Sequence, residues 1–131
     1  MCELAQRQVL RMAKVLIVED APFIREMIRD ILESHDHDIV GEAANGLEAI
    51  EKYKALKPDV VLMDILMPGM DGLSAIMKII ELDPKARIIV VSALVKEALR
   101  KEAMRAGAVD FVAKPFQVER LLEAVRAATT A

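Results

Sequence analysis

Two patterns of apolar residues alternate along the chain. Short apolar runs, of the kind that form strands buried on both faces, recur at residues 14–19, 38–43, 60–63, 88–91 and 109–113. Between these runs, apolar residues return every three or four positions, which indicates helices with one buried face. Five strands alternating with five helices predict an α/β domain of the (βα)5 type, with parallel strands and right-handed crossovers.

The predicted helices begin and end at residues suited to those positions. Pro22 fits the first turn of the first helix. Gly107 closes the fourth helix, at about 96–106, whose apolar face is weak. The second helix ends near Lys57 and the third before Asp83. The apolar faces of the first two helices are predicted to consist of Phe23, Ile24, Met27, Ile28, Ile31 and Leu32, and of Leu47, Ile50, Tyr53 and Leu56.

The composition is that of one domain of 131 residues. With 54% hydrophobic and 30% charged residues, we expect a single aromatic-poor core under a charged surface. We assign residues 13–131 to this domain and residues 1–12 to an N-terminal extension, disordered or helical. The clean alternation of helices and strands favours a monomer.

The net charge and the lengths of the apolar runs disfavour nucleic acids and membranes as partners. A net charge of −3 without a dense Lys/Arg stripe disfavours direct nucleic-acid binding. No window approaches the roughly 18 consecutive apolar residues that a membrane span needs. The first eleven residues lack the apolar centre of a secretory signal. We therefore expect a cytoplasmic protein without membrane insertion.

The cysteine and histidine residues of the chain do not indicate a disulfide or a metal site. Cys2 is the one cysteine, so an internal disulfide is excluded. His35 and His37 form a His-x-His pair that could bind metal, but two solvated loop histidines are the favoured interpretation.

Polar side chains follow four of the predicted strands. Glu19 and Asp20 follow the first strand, Asp64 the third, Ser92 the fourth and Lys114 the fifth. The carboxyl ends of parallel strands meet at one edge of the sheet, where open α/β sheets bind their ligands. We therefore expect these side chains to form one site.

The predicted site combines charges in a way suited to phosphoryl transfer. Three carboxylates repel one another and call for a hard cation, and oxygen ligands suit Mg²⁺ or Mn²⁺. Lys114 would balance the remaining charge, and its three donors suit a tetrahedral anion. Ser92 can donate to a phosphoryl oxygen, and Asp64 can attack phosphorus in line.

These motifs resemble those of the response-regulator receiver domain, and in particular its single-domain chemotaxis-type (CheY-type) branch in two-component signalling. The resemblance rests on Glu19-Asp20, on Asp64 within residues 63–72, on Ser92-Ala93 and on Lys114-Pro115-Phe116. It covers about residues 13–129. It implies a doubly wound, flavodoxin-like sheet with the strand order 2-1-3-4-5.

The resemblance implies a role for each acid. Asp64 would take a phosphoryl group from the phosphohistidine of a sensor histidine kinase. Asp20, Asp64 and the main-chain carbonyl of Leu66 would bind Mg²⁺ directly, and Glu19 would act mostly through a bound water. The family's commonest pattern has Asp where this chain has Glu19, but the longer side chain still reaches the water shell of a metal.

The resemblance also implies a phosphate-binding group and a switch. Ser92, Ala93 and Lys114 would hold the phosphoryl group, and a cis peptide bond would precede Pro115. Ser92, drawn towards the phosphate, would make room for Phe111 and bias the nearby surface between two states. Ser92 stands where Thr is commoner and Phe111 where Tyr is frequent, and neither change removes a required group.

The implied function is a signalling switch and not an enzyme with a released product. It would still phosphorylate itself from small donors and slowly hydrolyse its own aspartyl phosphate. Because the chain ends soon after Lys114, we expect its output to be a contact with a downstream protein on the face of residues 96–128. Chemotaxis and other phosphorelay pathways fit the residues equally well.

Three other functions explain less of the chain. A phosphohydrolase of the haloacid-dehalogenase type needs an acid two residues after its nucleophile, where this chain has Leu66. An interaction module that is never phosphorylated predicts a missing site group, and none is missing. A flavodoxin-like cofactor binder needs a phosphate-binding loop after Val18, where the acid pair would repel phosphate.

Overall fold

The structure of the protein, a computed structural model, describes residues 13–66, 71–93 and 96–129. The strands are β1 (Lys14–Val18), β2 (Asp38–Ala43), β3 (Val60–Met63), β4 (Ile88–Ser92) and β5 (Asp110–Ala113). The helices are α1 (Pro22–Glu33), α2 (Gly46–Leu56), α3 (Gly72–Leu82), α4 (Glu97–Ala106) and α5 (Val118–Thr129). The extension predicted for residues 1–12 lies outside the described residues, as do residues 67–70 of the motif at residues 63–72.

The five strands form one parallel sheet in the order β2-β1-β3-β4-β5, which confirms the predicted (βα)5 fold. Helices α1 and α5 cover one face of the sheet, and α2, α3 and α4 cover the other. The strand order reverses between β1 and β3, because the chain first adds β2 on one side and then crosses to the other. In open α/β sheets this reversal point is where ligands bind.

The apolar side chains form two layers rather than the single core that we expected. Val15 and Ile17 pack with α1 and α5, whereas Leu16 and Val18 pack with the helices on the opposite face. Successive side chains of a strand point to opposite sides, so a sheet covered on both faces divides its core into two. Among the described residues, no helix is both long and apolar enough to span a membrane.

The buried faces of α1 and α2 are narrower than their periodicity predicts. Ile28 and Leu32 are buried in α1, but Phe23 is 78% exposed; in α2, Leu47 is 61% exposed. Phe23 and Leu47 each lie in the first turn of their helix, at the edge of the sheet where the preceding strand ends. The prediction that they belong to the core was wrong for this reason.

Helix ends follow the local sequence. The side chain of Asn45 accepts a hydrogen bond from the amide of Glu48 at 2.9 Å, which caps α2. Gly107 ends α4 with φ of 123°, in the region that favours glycine. A Cβ at this position would also lie 2.6 Å from Ile80. The predicted end of α4 at Gly107 is thus confirmed.

His37 is not the solvated loop residue that the sequence suggested. It is half-buried, and its Nδ1 is buried without a hydrogen-bond partner among the described residues. Burial lowers the pKa of His37, and the nearby His35 and Arg126 lower it further, against the opposing charge of Asp36. The neutral ring is therefore favoured in the folded protein.

We expect the free energy of unfolding to decrease as the pH falls from 7 to 5. The pKa of His37 is depressed in the folded protein, so the unfolded chain binds this proton more readily. The stabilising contribution is therefore complete above the ordinary histidine pKa of about 6.5 and is lost below it. Urea unfolding of His37→Asn should show a smaller decrease over this range than the wild type. Identical pH dependence would contradict this account.

Candidate functional site

The register of the sheet brings the ends of β1 and β3 together. Val18 pairs with Met63, so Glu19 and Asp64 leave their strands at the same level. The amide of Asp64 donates to the carbonyl of Val18 at 3.0 Å, which continues the ladder beyond the strand. Backbone hydrogen bonds thereby place both acids at the point where the strand order reverses.

Three acids form a close cluster at this edge of the sheet. Carboxylate oxygens of Glu19, Asp20 and Asp64 lie within 4.8 Å of one another. Glu19 is 3% exposed and Asp64 is 7% exposed, whereas Asp20 faces solvent. Two unit charges at such a separation repel each other by roughly 3 kcal/mol at an effective dielectric constant of about 20. The cluster therefore needs positive charge close by.

Lys114 provides positive charge from the other half of the chain. Its Nζ lies 2.5 Å from Oε1 of Glu19 and 3.3 Å from Oδ2 of Asp64. The amide of Lys114 donates to the carbonyl of Ser92 at 2.9 Å, so the pairing of β4 with β5 fixes where this side chain begins. Among the described side chains, one ammonium beside three carboxylates still leaves the site negative.

Burial has opposite effects on the two members of the central ion pair. It raises the pKa of Glu19, even though the hydrogen bond from Lys114 acts against it. Burial alone would lower the pKa of Lys114, but the hydrogen bond to Glu19 and the charge of Asp64 outweigh it, and the pKa rises above its usual value. Lys114 is consequently protonated at neutral pH.

Two further contacts orient the carboxylate of Asp64. Its Oδ1 accepts a hydrogen bond from the amide of Leu66 at 3.0 Å, while Oδ2 faces Lys114. A Cβ at Gly72 would lie 2.5 Å from Cα of Ile65 and 2.7 Å from the carbonyl oxygen of Asp64. Only glycine lets α3 begin so close to this backbone. No role for Gly72 was predicted from the sequence, although a glycine directly after the capping residue Asp71 is typical of a helix start packed closely against backbone.

The remaining predicted residues surround the cluster. Ser92 is fully buried at the end of β4, between the strands that lead to Asp64 and Lys114, and Ala93 follows it with its side chain exposed. Phe111 is 7% exposed and pairs with Val90. The structure thus places the predicted phosphate-binding residues on adjacent strand ends. The peptide bond before Pro115 is cis, as the resemblance implies.

The donor set fits a hard divalent cation. Among the described residues, the cluster consists of three carboxylates without sulfur or imidazole, and oxygen is the ligand type that Mg²⁺ and Mn²⁺ prefer. Its net negative charge favours a cation, and the exposed Asp20 leaves the site open on one side.

A doubly wound parallel sheet with an acid cluster at its reversal point and a lysine after the fifth strand defines the receiver class of signalling domains. The sequence model of the family described as "Response regulator receiver domain" matches residues 15–126. The chain belongs to this family.

Within the family, the chain is similar to chemotaxis proteins. It is 54% identical to the chemotaxis protein CheY of Thermotoga maritima over 112 residues, which cover 86% of this chain and 93% of that protein. Identity to the chemotaxis protein CheY of Bacillus subtilis is 50% over the same shares of the two chains.

Solved receiver domains share the fold. The response regulator domain of Thermotoga maritima CheB superimposes with a TM-score of 0.86 at 42% identity, covering 92% of this chain and 98% of that chain. The CheX-CheY-BeF3-Mg²⁺ complex from Borrelia burgdorferi gives a TM-score of 0.88 at 38% identity, covering 91% and 90% of the two chains. The protein is therefore a CheY-like receiver.

Proposed function

We propose that the protein is a response regulator of a two-component system, which accepts a phosphoryl group on Asp64 and then changes its binding to another protein. The observation that carries the proposal is the cluster of Glu19, Asp20 and Asp64 within 4.8 Å, with Lys114 in contact with two of these acids. Like charges held together at the ligand-binding edge of a sheet favour a functional role over a structural one.

The phosphoryl donor would be the phosphohistidine of a sensor histidine kinase. A carboxylate oxygen of Asp64 attacks phosphorus, the bond from phosphorus to the imidazole nitrogen breaks, and its electron pair remains on that nitrogen. The amide of Leu66 and the ammonium of Lys114 hold the carboxylate in one orientation. Positioning of the reacting groups and stabilisation of charge are the main contributions of the protein in reactions of this class.

The cation would be Mg²⁺, with Mn²⁺ as a substitute. Asp20, Asp64 and the main-chain carbonyl of Leu66 would hold it, and Glu19, already bonded to Lys114, would act through a water. When bound, the ion supplies positive charge that offsets the charge of the phosphoryl oxygens.

Ser92 and Phe111 would couple phosphorylation to a change of conformation. Ser92, Ala93 and Lys114 would hold the phosphoryl group, and movement of Ser92 would change the space available to Phe111 on the adjacent strand. The two packings of the buried Phe111 side chain would be discrete states, and the phosphoryl group would shift the population of molecules from one to the other.

The output surface would be the face of residues 96–128, made by α4, β5 and α5. Arg120 on α5 forms a two-pronged ion pair with Asp110, at 2.9 and 3.2 Å, and its Nη2 also donates to the carbonyl of Phe111 at 3.3 Å. These contacts tie α5 to the strand that carries the proposed switch residue. A structural relative was solved with a partner protein, CheX, and we propose a protein partner here as well.

Phosphorylation by acetyl phosphate tests the proposal directly. We expect the purified protein to gain one phosphoryl group in the presence of Mg²⁺ and none when the metal is removed with EDTA. Backbone NMR should then show the largest shifts in the active-site loops and in α4, β5 and α5. Absence of Mg²⁺-dependent labelling would refute the proposed function.

The aspartyl phosphate should be long-lived, because Leu66 places an apolar side chain at the rim of the site. Leu66 is 51% exposed and cannot position an attacking water. A hydrogen bond worth about 1 kcal/mol in the transition state accelerates a reaction roughly fivefold, so we expect Leu66→Asn to raise the hydrolysis rate by about that factor. Leu94, which stands two residues after Ser92 in the sequence as Leu66 does after Asp64, lies outside the described residues.

Leu47→Asn is the matched control, since Leu47 is 61% exposed but belongs to α2. Decay of the phosphorylated protein after removal of acetyl phosphate, followed by intact mass, compares the two variants. Equal lifetimes of Leu66→Asn and the wild type would contradict the role given to Leu66.

A further inference from the structure

Arg25 connects the second strand to the backbone of the acid cluster. Its Nε donates to Oε1 of Glu42 at 2.8 Å, and its Nη1 donates to the carbonyl oxygen of Glu19 at 2.7 Å. The side chain is 21% exposed, so solvent competes little for these donors. The planar guanidinium can hold two acceptors in fixed directions, which an ammonium on a flexible stem does less well.

Glu19 is held from several sides at once. Its amide donates to the carbonyl of Ala43 at 2.9 Å, and Oε2 accepts from the amide of Ala21 at 3.2 Å. Its other carboxylate oxygen is bonded to Lys114. The carbonyl of Glu19 begins the peptide unit that leads into Asp20, and Arg25 is the side chain that anchors it. Arg25 is therefore one of the contacts that hold the Glu19-Asp20 backbone, and the one made to its carbonyl.

Glu42 in turn fixes the position of Arg25. Its two carboxylate oxygens accept from two arginines one helical turn apart, Oε1 from Arg25 and Oε2 from Nε of Arg29 at 2.6 Å. Arg29 also donates from Nη1 to Oε2 of Glu33 on its own helix at 2.9 Å, and among the described residues its side-chain hydrogen bonds go to Glu42 and Glu33 and not to Glu19. Both arginines anchor α1 to β2, but Arg25 also reaches the site.

We propose that Arg25 is a positioning residue for the cation site, which holds the Glu19-Asp20 backbone so that both carboxylates face Asp64. The inference rests on the proposed function, because it concerns the binding of Mg²⁺ by this cluster. Arg25 acts through Glu19 and does not itself touch the reacting atoms. Glu42, on the neighbouring strand β2, becomes an indirect determinant of metal affinity.

Arg25→Ala and Arg29→Ala form a matched pair of variants. Each removes one ion pair to Glu42 between α1 and β2, but only the first releases the carbonyl of Glu19. Isothermal titration with Mg²⁺ alone should show about fivefold weaker binding for Arg25→Ala, the effect of losing one aligning hydrogen bond of about 1 kcal/mol. Arg29→Ala should bind within about twofold of the wild type, because it leaves that hydrogen bond in place.

Amide hydrogen exchange without added Mg²⁺ gives a second readout. The amide of Ala21 is bonded to Oε2 of Glu19, so it should exchange faster in Arg25→Ala than in Arg29→Ala. If Arg25 only anchored α1 to β2, the two variants should lose the same Mg²⁺ affinity and should show the same exchange rate at the amide of Ala21.

The outcomes separate the two proposals. Unchanged Mg²⁺ affinity in Arg25→Ala, or equal weakening in both variants, overturns the positioning role and leaves the proposed function standing. A wild-type protein that neither binds Mg²⁺ nor accepts phosphate overturns the proposed function, and the positioning role with it.

Discussion

Asp64→Asn should abolish phosphorylation by acetyl phosphate in the presence of Mg²⁺. An amide oxygen is a poor nucleophile and cannot form the acyl phosphate, so labelling should fall by a factor on the order of 10³ or more. The wild-type product should be labile in base, as an acyl phosphate is, and the variant should carry none. Intact mass spectrometry after incubation with the donor measures both.

The variant should fold normally, which makes the result interpretable. The side-chain amide that Asp64→Asn introduces keeps an oxygen, which can still accept the hydrogen bond that the amide of Leu66 gives to Asp64 at 3.0 Å. The substitution also removes one charge from a cluster of like charges, so we expect thermal stability without Mg²⁺ to be at least that of the wild type. Added Mg²⁺ should stabilise the wild type and have less effect on the variant.

Asp71→Asn is the control for a neighbouring aspartate. Asp71 caps α3 through a hydrogen bond from the amide of Ser74 at 2.8 Å, and asparagine caps helices equally well. We expect this variant to be labelled like the wild type. Labelling of Asp64→Asn at a comparable level would end the assignment of Asp64 as the acceptor.

Lys114→Ala should unfold more easily than the wild type when Mg²⁺ is absent. Within the described residues, Lys114 is the cation that contacts the side chains of both Glu19 and Asp64, and its own side chain is 15% exposed. Removing one partner of a buried ion pair costs about 3–5 kcal/mol; partial exposure reduces our expectation to about 2 kcal/mol. Urea unfolding at neutral pH measures the difference.

Mg²⁺ should restore much of this stability, because at the proposed site a divalent cation would replace the ammonium as the positive charge beside these acids. The shift in the urea midpoint on adding Mg²⁺ should be larger for Lys114→Ala than for the wild type. Lys54→Ala, at an exposed position on α2, should behave like the wild type in both conditions. A Mg²⁺ response equal to that of the wild type would contradict the arrangement of charges described above.

Lys114→Ala should also accept phosphate without switching. Asp64 remains in place, so the variant is labelled, but the phosphoryl group loses the ammonium that would link it to the strand carrying Phe111. We expect NMR resonances of α4, β5 and α5 to stay near their unphosphorylated positions. Wild-type shifts in the labelled variant would show that Lys114 is not needed for coupling.

The direction of the Lys114 pKa shift sets the pH range of these measurements. The pKa is raised in the folded protein by Glu19 and Asp64, so the stabilising contribution is present at neutral pH. It is lost only as the pH rises from the ordinary lysine value through the higher folded one. Neutral buffers therefore report the full difference between Lys114→Ala and the wild type.

Strand positions were predictable because period and composition determine them locally. The predicted strands at 38–43 and 60–63 match β2 and β3, and the others differ by one residue at an end. One such residue is Ser92, which completes β4, and another is Val109, which precedes β5. Differences of this size are usual at element ends, where hydrogen bonding is incomplete.

The acid cluster and Lys114 were also predictable, for a topological reason. Parallel strands joined by helices all end at one edge, so polar residues directly after such strands must approach one another. For this reason Oε1 of Glu19 and Nζ of Lys114 lie 2.5 Å apart, although the two residues are separated by 95 positions in the sequence. No side-chain detail was needed to expect their proximity.

Other features required the packed structure. The exposure of Phe23 depends on where the sheet ends beneath α1, and the burial of His37 depends on its packing outside any regular element. The contact of Arg25 with Glu19 depends on Glu42 of a neighbouring strand, which directs the guanidinium. None of these follows from a repeating pattern.

By itself, the amino-acid sequence determined the order of strands and helices, the edge at which the site forms and the chemical character of its groups. These properties follow from short-range periodicity and from the shared direction of parallel strands. The tertiary structure alone decided which donor holds each acid, how far each side chain is exposed and which backbone groups meet at the start of α3. Those features depend on contacts between distant segments, which exist only after the two apolar layers have packed.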